Sequence, residues 1–596
     1  MKHLRALNKY FYKYRYRFIF GFIFIVISNY FGVLSPQVIR YSFDLVKDNL
    51  AYYNLFRGFE LQNSFYSLFS SALLFFGITV LLLAMLKGVF MFFMRQTLIV
   101  MSRLIEYDQK NEMYNHYQQL SLAFYKRNNT GDLMSRITED ISRVRMYTGP
   151  AIMYGINLLV MVVMVIYAML SVNVPLTLYV LLPLPLLAIS IYYVNNLIEH
   201  GSEVIQKQLS GLTTSAQEFY SGIRVIKSYV QENQILQFFD KESEEYKTKA
   251  LKVARVEAFF FPLMLLLIGL STILTIWVGG IGVMHGDITP GNIAEFVVYV
   301  TMLTWPVTAI GWVASMTQRA AASQKRINEF LSAKPEIISG GENGITLQGS
   351  VEFNNVSFTY PDTGVQALKN VSFKINPGQK LAIIGRTGSG KTTIADLILR
   401  MYDVSQGEIL LDGIPLQRLN LSVIRNQIGY VPQDVFLFSD TVENNVGFGV
   451  KRFNREEVIS ATKGASIHSE VLGLAKSYDT VIGERGVTLS GGQKQRISIA
   501  RAFLKNPQVM LLDDCLSAVD AKTEKAILTA LNELLHNKTS IIITHRIFTL
   551  LDFDRIILLE NGSILEEGTH DELLARKGLY YELYEAQRLE EKAEEA

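Results

Sequence analysis

The sequence predicts a multidomain chain in which an all-α transmembrane domain of six helices precedes an α/β domain. Hydrophobic residues make up 49% of the 596 residues, and the apolar excess lies before about residue 320. Six apolar runs recur in that part, each near the ~20 residues that a helix needs to cross the hydrocarbon core. After a glycine-rich stretch at 340–344, the pattern changes to the alternation of β-strands from Val351 onward.

The six apolar runs set the predicted topology. The N-terminal 17 residues are strongly basic, so the positive-inside rule places the N-terminus in the cytoplasm. An even number of spans returns the second domain to the same side, so we expect a multi-pass membrane protein. Buried helices of a soluble bundle are the alternative, which six long and mostly uncharged runs disfavour. The runs are Phe18–Leu34, Phe65–Met94, Ala151–Leu170, Pro175–Val194, Phe259–Val283 and Ile293–Met316.

The stretches predicted inside the cell, 95–147 and 195–258, are long, charged and helical in pattern, so the spanning helices are expected to extend beyond the membrane. Each long pair turns at a tip, one near Leu122–Gly131 and the other around Ser221-Gly222. Two cations, Lys87 and Arg95, lie in and just after the second span. Two positions are open for them: facing a cavity, or lying at the cytoplasmic interface.

Charge and cysteine content bear on the possible partners and cross-links, and the composition changes along the chain indicate the domain limits. The net charge of +2 gives no reason to expect a nucleic acid partner, and a single cysteine, Cys515, excludes a disulfide within the chain. We predict a transmembrane domain over 1–325, a linker over 326–345, an α/β domain over 346–587 and an acidic tail over 588–596.

The second domain contains the sequence pattern of a phosphate-binding loop. Gly385, Gly390, Lys391 and Thr392 fit G-x-x-x-x-G-K-[ST] between an apolar strand and a helix. Glycines let backbone N–H groups surround a polyphosphate, the lysine reaches its outer phosphates, and the threonine hydroxyl is a Mg²⁺ ligand. This P-loop NTPase pattern predicts ATP and Mg²⁺ as cofactors. The binding residues are Gly385, Arg386, Thr387, Gly388, Ser389, Gly390, Lys391, Thr392 and Thr393.

Further motifs follow in the order that an ATPase needs. The apolar strand 509–513 ends in Asp513, a predicted Mg²⁺ ligand, and Asp514 is then placed to polarise the attacking water. Another apolar strand ends before His545, which is predicted to reach the γ-phosphate. A helix opens at the sequence LSGGQ, residues 489–493, and offers a second N-terminus that binds anions.

Together these motifs resemble an ABC exporter half-transporter, in which six spanning helices are fused to one ATP-binding cassette. The resemblance covers nearly the whole chain and implies a role for each matched residue. Tyr360 would stack on adenine, Gln433 would contact Mg²⁺ and sense the membrane domain, and His545 would be the switch histidine. The signature would be Ser490, Gly491, Gly492 and Gln493, and the D-loop Ser517 to Asp520, with Asp520 at the nucleotide. Coupling regions would be 124–133 and 222–227, with the exporter-specific loop at 483–486.

The resemblance implies a dimer, because the signature of one chain completes the Walker site of another. One departure stands out: the family usually has Glu where this chain has Asp514, and a carboxylate set back by roughly 1–1.5 Å can cost ~10²-fold in rate. We therefore favour a heterodimer in which Asp514 marks a slow site and a different half-transporter supplies the competent Glu. A homodimer that works with Asp at both sites is the alternative.

The expected function is ATP-driven export or flipping of a hydrophobic or amphipathic small molecule, lipid or peptide, with membrane lipid as surroundings. A nucleotide-gated channel or regulatory subunit, in which ATP binding dominates over hydrolysis, is the alternative. Vesicle accumulation against a gradient distinguishes the two.

Overall fold

The computed structural model describes residues 2–55, 58–59, 61–483, 486, 488–515, 524, 526–529, 531, 538–547 and 553–594. The chain divides into two compact units. The helical unit comprises Met1–Tyr117 and Gly131–Ala333, and the α/β unit comprises Gln118–Thr130 and Lys334–Ala596. The tip between the second and third spans therefore belongs, by its contacts, to the α/β unit.

The helical unit, within the described residues, contains six helical segments long and apolar enough to cross a membrane. This confirms the predicted six-helix transmembrane domain. Two of the segments are interrupted: π-helical turns at Arg136–Asp140 and Tyr147–Ala151 break the third, and a break at Leu182 divides the fourth. The segments are Arg15–Leu50, Asn63–Gln119, Thr130–Val172, Val174–Ser221, Glu232–His285 and Pro290–Leu331.

The helices in chain order begin with a 3₁₀ turn at Lys2–Leu7. They are α1 (Asn8–Lys13), α2 (Arg15–Leu55), α3 (Leu61–Gln119), α4 (Leu122–Arg127), α5 (Thr130–Ser135), α6 (Ile141–Met146), α7 (Ile152–Val172), α8 (Val174–Leu181), α9 (Pro183–Ser221), α10 (Ile223–Ser228), α11 (Glu232–His285) and α12 (Pro290–Leu331).

Local chemistry sets the turn between the last two spanning helices. Helix α11 ends at Gly286, whose φ of 81° is the left-handed conformation that glycine adopts at helix C-termini. Helix α12 then starts with Pro290 at its first position and a capping box between Thr289 and Asn292. Below this turn, Phe296, Tyr299 and Val300 are completely buried in the core of the helical unit.

The described residues of the α/β unit form two sheets. In the described residues the smaller sheet is antiparallel, in the order β2-β1-β4-β5, and the larger has the order β10-β9-β3-β8-β7-β6. In the larger sheet β3, β6, β7, β8 and β9 run parallel, and only β10 is antiparallel. The strands are β1 (Val351–Thr359), β2 (Gln366–Ile375), β3 (Lys380–Gly385), β4 (Gln406–Leu411), β5 (Ile414–Pro415), β6 (Ile428–Val431), β7 (Val509–Asp513), β8 (Thr539–Ile543), β9 (Arg555–Glu560) and β10 (Ser563–Gly568).

Every residue of β7 and β8 is buried, as expected for parallel strands covered on both faces, whose sequences are continuous apolar runs. A 3₁₀ turn at Ser477–Asp479 precedes the signature region. The helices of this unit are α13 (Lys391–Ile398), α14 (Leu421–Gln427), α15 (Val442–Gly447), α16 (Arg455–Gly464), α17 (His468–Leu472), α18 (Gly491–Leu504), α19 (His570–Arg576) and α20 (Leu579–Glu594). This architecture confirms the predicted α/β nucleotide-binding fold.

The element ends differ in detail from the predicted domain limits. Helix α12 continues to Leu331, inside the stretch predicted as linker, because its amphipathic sequence continues without a helix breaker. Helix α20 extends to Glu594, so most of the predicted acidic tail is helical. Helix α2 continues through Pro36 to Leu55, well past the apolar run that predicted the first span.

Candidate nucleotide site

The phosphate-binding loop joins β3 to α13. Three of its glycines have positive φ: Gly385 at 155°, Gly388 at 81° and Gly390 at 101°. A Cβ at Gly390 would lie 2.5 Å from the carbonyl oxygen of Ala367, so glycine is required there for space as well as for conformation. Arg386, Thr387 and Gly388 are exposed, whereas Ser389 and Thr393 are buried.

Lys391 closes this loop on itself. Its Nζ donates to the carbonyl oxygens of Gly385 at 2.7 Å and Arg386 at 2.9 Å. Burial lowers the pKa of Lys391, an effect that the nearby carboxylates of Asp514 and Asp513 oppose. The ammonium group therefore lies inside the curve of the loop, where the predicted phosphate contact requires it.

Asp513 ends β7 beside the loop and is 1% exposed. The Thr392 hydroxyl hydrogen-bonds to it, but its Oδ2 has no hydrogen-bond partner. Burial, with repulsion from Asp514 and Asp396, raises the pKa of Asp513 to about 6. A buried carboxylate oxygen without a partner is costly unless a cation or donor satisfies it.

Asp514 is directed by an unusual backbone conformation. Its φ is 46°, and its N–H donates to the carbonyl oxygen of Ile543 at 2.8 Å, so the chain kinks as it leaves β7. The carboxylate then accepts hydrogen bonds from two side chains. Gln433 Nε2 lies 3.3 Å from Oδ2, and His545 Nδ1 lies 2.9 Å from Oδ1.

The sheet order explains why these residues meet. Gln433, Asp514 and His545 each follow the carboxyl end of a parallel strand, β6, β7 and β8 respectively, and β3 with the phosphate loop lies next to β8. Ligands of open α/β sheets bind at this edge. The three predicted catalytic side chains thus form one hydrogen-bonded group beside the phosphate loop.

Comparisons with known proteins agree with this geometry. Residues 18–307 match the family described as the ABC transporter transmembrane region, and residues 368–517 match the ABC transporter family. The multidrug resistance-like ATP-binding protein MdlA of Escherichia coli is 39% identical over 486 residues, which cover 81% of this chain and 82% of that protein. The ATP-dependent lipid A-core flippase of Syntrophus aciditrophicus is 34% identical over 520 residues, covering 87% and 86%.

The chain belongs to the ABC exporter family. The structure of a bacterial Atm1-family ABC exporter with ATP bound matches it with a TM-score of 0.75 and 25% identity over 96% of this chain and 98% of that one. The exporter is therefore an integral membrane protein with an ATP-binding domain.

The residues present in the exporter fit a divalent cation. Asp513 offers a buried, unpartnered carboxylate oxygen, and the hydroxyl of Thr392 lies against the same carboxylate. Hard oxygen ligands of this kind suit Mg²⁺. Gln433, the third predicted ligand, hydrogen-bonds to Asp514 in this structure.

The signature segment of the exporter begins α18. Ser490 is its N-cap, and a capping box joins Ser490 to Gln493. Gln493 also donates to Glu470, which pairs with Arg496 at 2.6 Å, so the start of the helix is held from the side. Ser490 and Gly491 are exposed, and they do not belong to the hydrogen-bonded group around Asp514.

Tyr360 adjoins a contact that the sequence did not predict. Its hydroxyl hydrogen-bonds to Thr393 at 2.9 Å, and its ring makes an edge contact with Tyr402. Lys126, on α4, places its Nζ 5.1 Å from the Tyr360 ring centroid and 5.5 Å from that of Tyr402. The sequence shows a basic residue in the first coupling region, but a single lysine on a helix does not indicate which residues it contacts.

Some predicted residues lie outside the described part of the chain. These are the D-loop residues, including Asp520, and Glu484 and Arg485 of the exporter-specific loop. The second predicted coupling region coincides with α10 of the helical unit, which follows Gly222.

Proposed function

We propose that this exporter uses ATP binding and hydrolysis to move an amphipathic or hydrophobic molecule, such as a drug or lipid, across a bacterial inner membrane. The observation that carries this proposal is the group of Asp514, Gln433 and His545 beside the phosphate loop. The relatives named for multidrug resistance and lipid A flipping support the class of cargo. The N-terminus and the ATP-binding domain are proposed to be cytoplasmic.

Each side chain has a proposed task. Lys391 binds the outer phosphates after leaving the carbonyl groups that it contacts here, and Tyr360 stacks on adenine. Asp514 orients the attacking water, His545 donates to the γ-phosphate, and Gln433 reports nucleotide occupancy to the membrane domain. Thr392, Asp513 and Gln433 would hold Mg²⁺, which would supply positive charge to the phosphates.

A second half-transporter completes the proposed site. The exposed Ser490 and Gly491 at the start of α18 are free to meet a nucleotide held by another chain, since helix N-termini favour phosphate. Asp520 of the D-loop is proposed to contribute at the same junction. We propose a heterodimer, because a carboxylate one methylene short at Asp514 is expected to slow hydrolysis by ~10²-fold.

The experiment measures ATPase activity of the purified chain in lipid nanodiscs, beside Asp514→Glu. Turnover at least tenfold faster in the variant supports a weak wild-type carboxylate and a partner chain with the competent site. Equal and rapid turnover in both proteins refutes the slow-site proposal and favours a homodimer.

Transport is tested separately in vesicles, with a partner chain added if one co-purifies. Accumulation of a fluorescent amphiphile against its gradient, dependent on ATP and lost in Lys391→Ala, supports export. Conductance without accumulation would instead indicate a nucleotide-gated channel.

A further inference from the structure

Among the described residues of the exporter, Lys87 in the spanning part of α3 has no carboxylate partner. No charged residue lies between Leu61 and Leu86 of α3, and Lys87 follows this uncharged stretch. Within the described residues no carboxylate oxygen lies within 4.0 Å of its Nζ. Charges within spanning segments are costly, and they are kept where they bind or move something.

The position of the amine is deep. A Cβ built on Gly32 of α2 would lie 3.3 Å from Lys87 Nζ, so the ammonium group occupies the space that the glycine leaves. Gly32 is 15 residues after Arg17 and eight before Arg40, which places it about 22 Å and about 12 Å along α2 from those charges. Both distances are too long for the Lys87 side chain to bring its ammonium group to an interface of a ~30 Å hydrocarbon core.

The direction of the side chain agrees with this depth. Side chains of a helix lean toward its N-terminus, so Lys87 points away from Arg95, which is eight residues further along α3. The ammonium group therefore lies against α2 within the spanning part of the helix, not at the cytoplasmic interface, which was one of the two positions that the sequence left open.

Polar groups of three helices lie near this level of α2. The Ser28 hydroxyl donates to the carbonyl oxygen of Lys87 at 3.2 Å, and the Asn29 amide donates to Asn157 of α7 at 2.9 Å. Asn29 lies one turn from Gly32, so the asparagine pair and the ammonium group lie at similar depth. A second cation, Arg95, contacts the Tyr154 hydroxyl at 3.5 Å, one turn from Asn157 on α7.

Aromatic side chains form an apolar surface next to Lys87. Phe90 lies one turn from Lys87 on α3, and it stacks on Phe31 with ring centroids 5.8 Å apart. Phe24 contacts both Phe90 and Phe93. By contrast, the completely buried carboxylate of Glu295 in α12 is already paired with Arg40 at 3.2 Å. Among the described residues of this region, the charge without an ion-pair partner is therefore positive, and apolar surface lies next to it.

We infer that Lys87 binds the negatively charged group of the transported molecule, so the substrates are anionic amphiphiles that carry a phosphate, sulfate or carboxylate on an apolar body. This inference deepens the proposed export function and rests on it for the direction of transport. Arg95, nearer the cytoplasmic side, is the first cation that such a molecule meets. Both a membrane lipid and a free single-chain amphiphile present this chemistry.

Binding is tested on the full chain in phosphatidylcholine nanodiscs without nucleotide. The probes are dodecyl phosphate and dodecyltrimethylammonium, which share one chain and differ in charge, and acyl-labelled phosphatidic acid against phosphatidylcholine. We expect dodecyl phosphate to bind at least tenfold more tightly than dodecyltrimethylammonium. Lys87→Gln should lower the ratio of the two affinities about tenfold. Lys87→Arg should leave this ratio unchanged, and Lys87→Glu should reverse the preference. Lys110→Gln, on the same helix but beyond the apolar stretch, is the control and should change nothing.

The two sources of the anion give different results. Preference for phosphatidic acid that depends on Lys87 identifies a lipid headgroup, and preference confined to dodecyl phosphate identifies a free amphiphile. Equal binding of anion and cation, or equal weakening of both in Lys87→Gln, overturns the inference even if the protein exports. ATP hydrolysis and vesicle transport are measured in parallel. Anion binding that depends on Lys87, in a protein that transports nothing even with a co-purifying partner chain present, would instead overturn the proposed export while the anion site stands.

Discussion

Asp513→Asn tests whether the buried carboxylate of Asp513 destabilises the nucleotide-free protein. Burial raises the pKa of Asp513 from 3.8 to about 6. The native state therefore binds more protons than the unfolded state between these values, and stability falls as pH rises through this window. Above pH 6 the carboxylate is ionised in both states, and the full penalty of about 3 kcal/mol applies.

The substitution removes that charge at nearly constant shape. Relative to the wild type, the nucleotide-free variant gains at most about 3 kcal/mol at pH 7.5 and about 1.6 kcal/mol at pH 5. This gain in the free energy of unfolding is an upper bound, because the asparagine amide would be buried where Oδ2 has no hydrogen-bond partner. The difference between the two pH values, about 1.4 kcal/mol, does not depend on how the amide is accommodated.

The assay is hydrogen exchange of the slowest amides in β3, β7 and β8 of the full chain, corrected for intrinsic exchange at each pH. Saturating Mg-ATP should reverse the order of stability. At 100 times its Kd the ligand stabilises the wild type by about 2.7 kcal/mol, and the variant should lose most of this gain. A variant whose stability follows the wild type in parallel from pH 5 to 7.5 would refute the assignment of the raised pKa to Asp513.

Three further outcomes follow from the described contacts. Gly390→Ala should weaken ATP binding at least tenfold by equilibrium titration, since its Cβ would meet the Ala367 carbonyl in a left-handed conformation; an unchanged Kd would contradict this. Lys126→Met should accelerate amide exchange in α4 by up to tenfold through loss of its aromatic contacts, while Lys110→Gln should not. Cys515, 2% exposed and with its pKa raised by burial to about 12, should resist maleimide until the protein is denatured; rapid native labelling would count against its burial.

The first coupling region illustrates what contacts add to a motif. Helix α4 clusters with the α/β unit, where Ala123 is 1% exposed in the core formed by β1, β2 and β3, and Arg127 pairs with Glu336 at 3.1 Å. Lys126 approaches Tyr360, the residue proposed to hold adenine. The aromatic rings and the salt bridge that hold α4 therefore lie beside the position proposed for the adenine base.

The sequence by itself determined the six spans, the order of the nucleotide motifs and the α/β fold. These features depend on properties that are local in the chain: the length of an apolar run, the spacing of glycines around Lys391, and a carboxylate at the end of a buried strand. The resemblance to ABC exporters rested on those motifs, and the comparisons confirm it.

The tertiary structure alone decided which side chains meet. Gln433, Asp514 and His545 are separated by 81 and 31 residues, and they converge only because β6, β7 and β8 are neighbours and the chain kinks at Asp514. In the same way, the approach of Lys87 Nζ to Gly32 depends on how helix α3 packs against helix α2. Contacts between distant parts of the chain depend on strand order and helix packing, which hydrophobic periodicity does not specify.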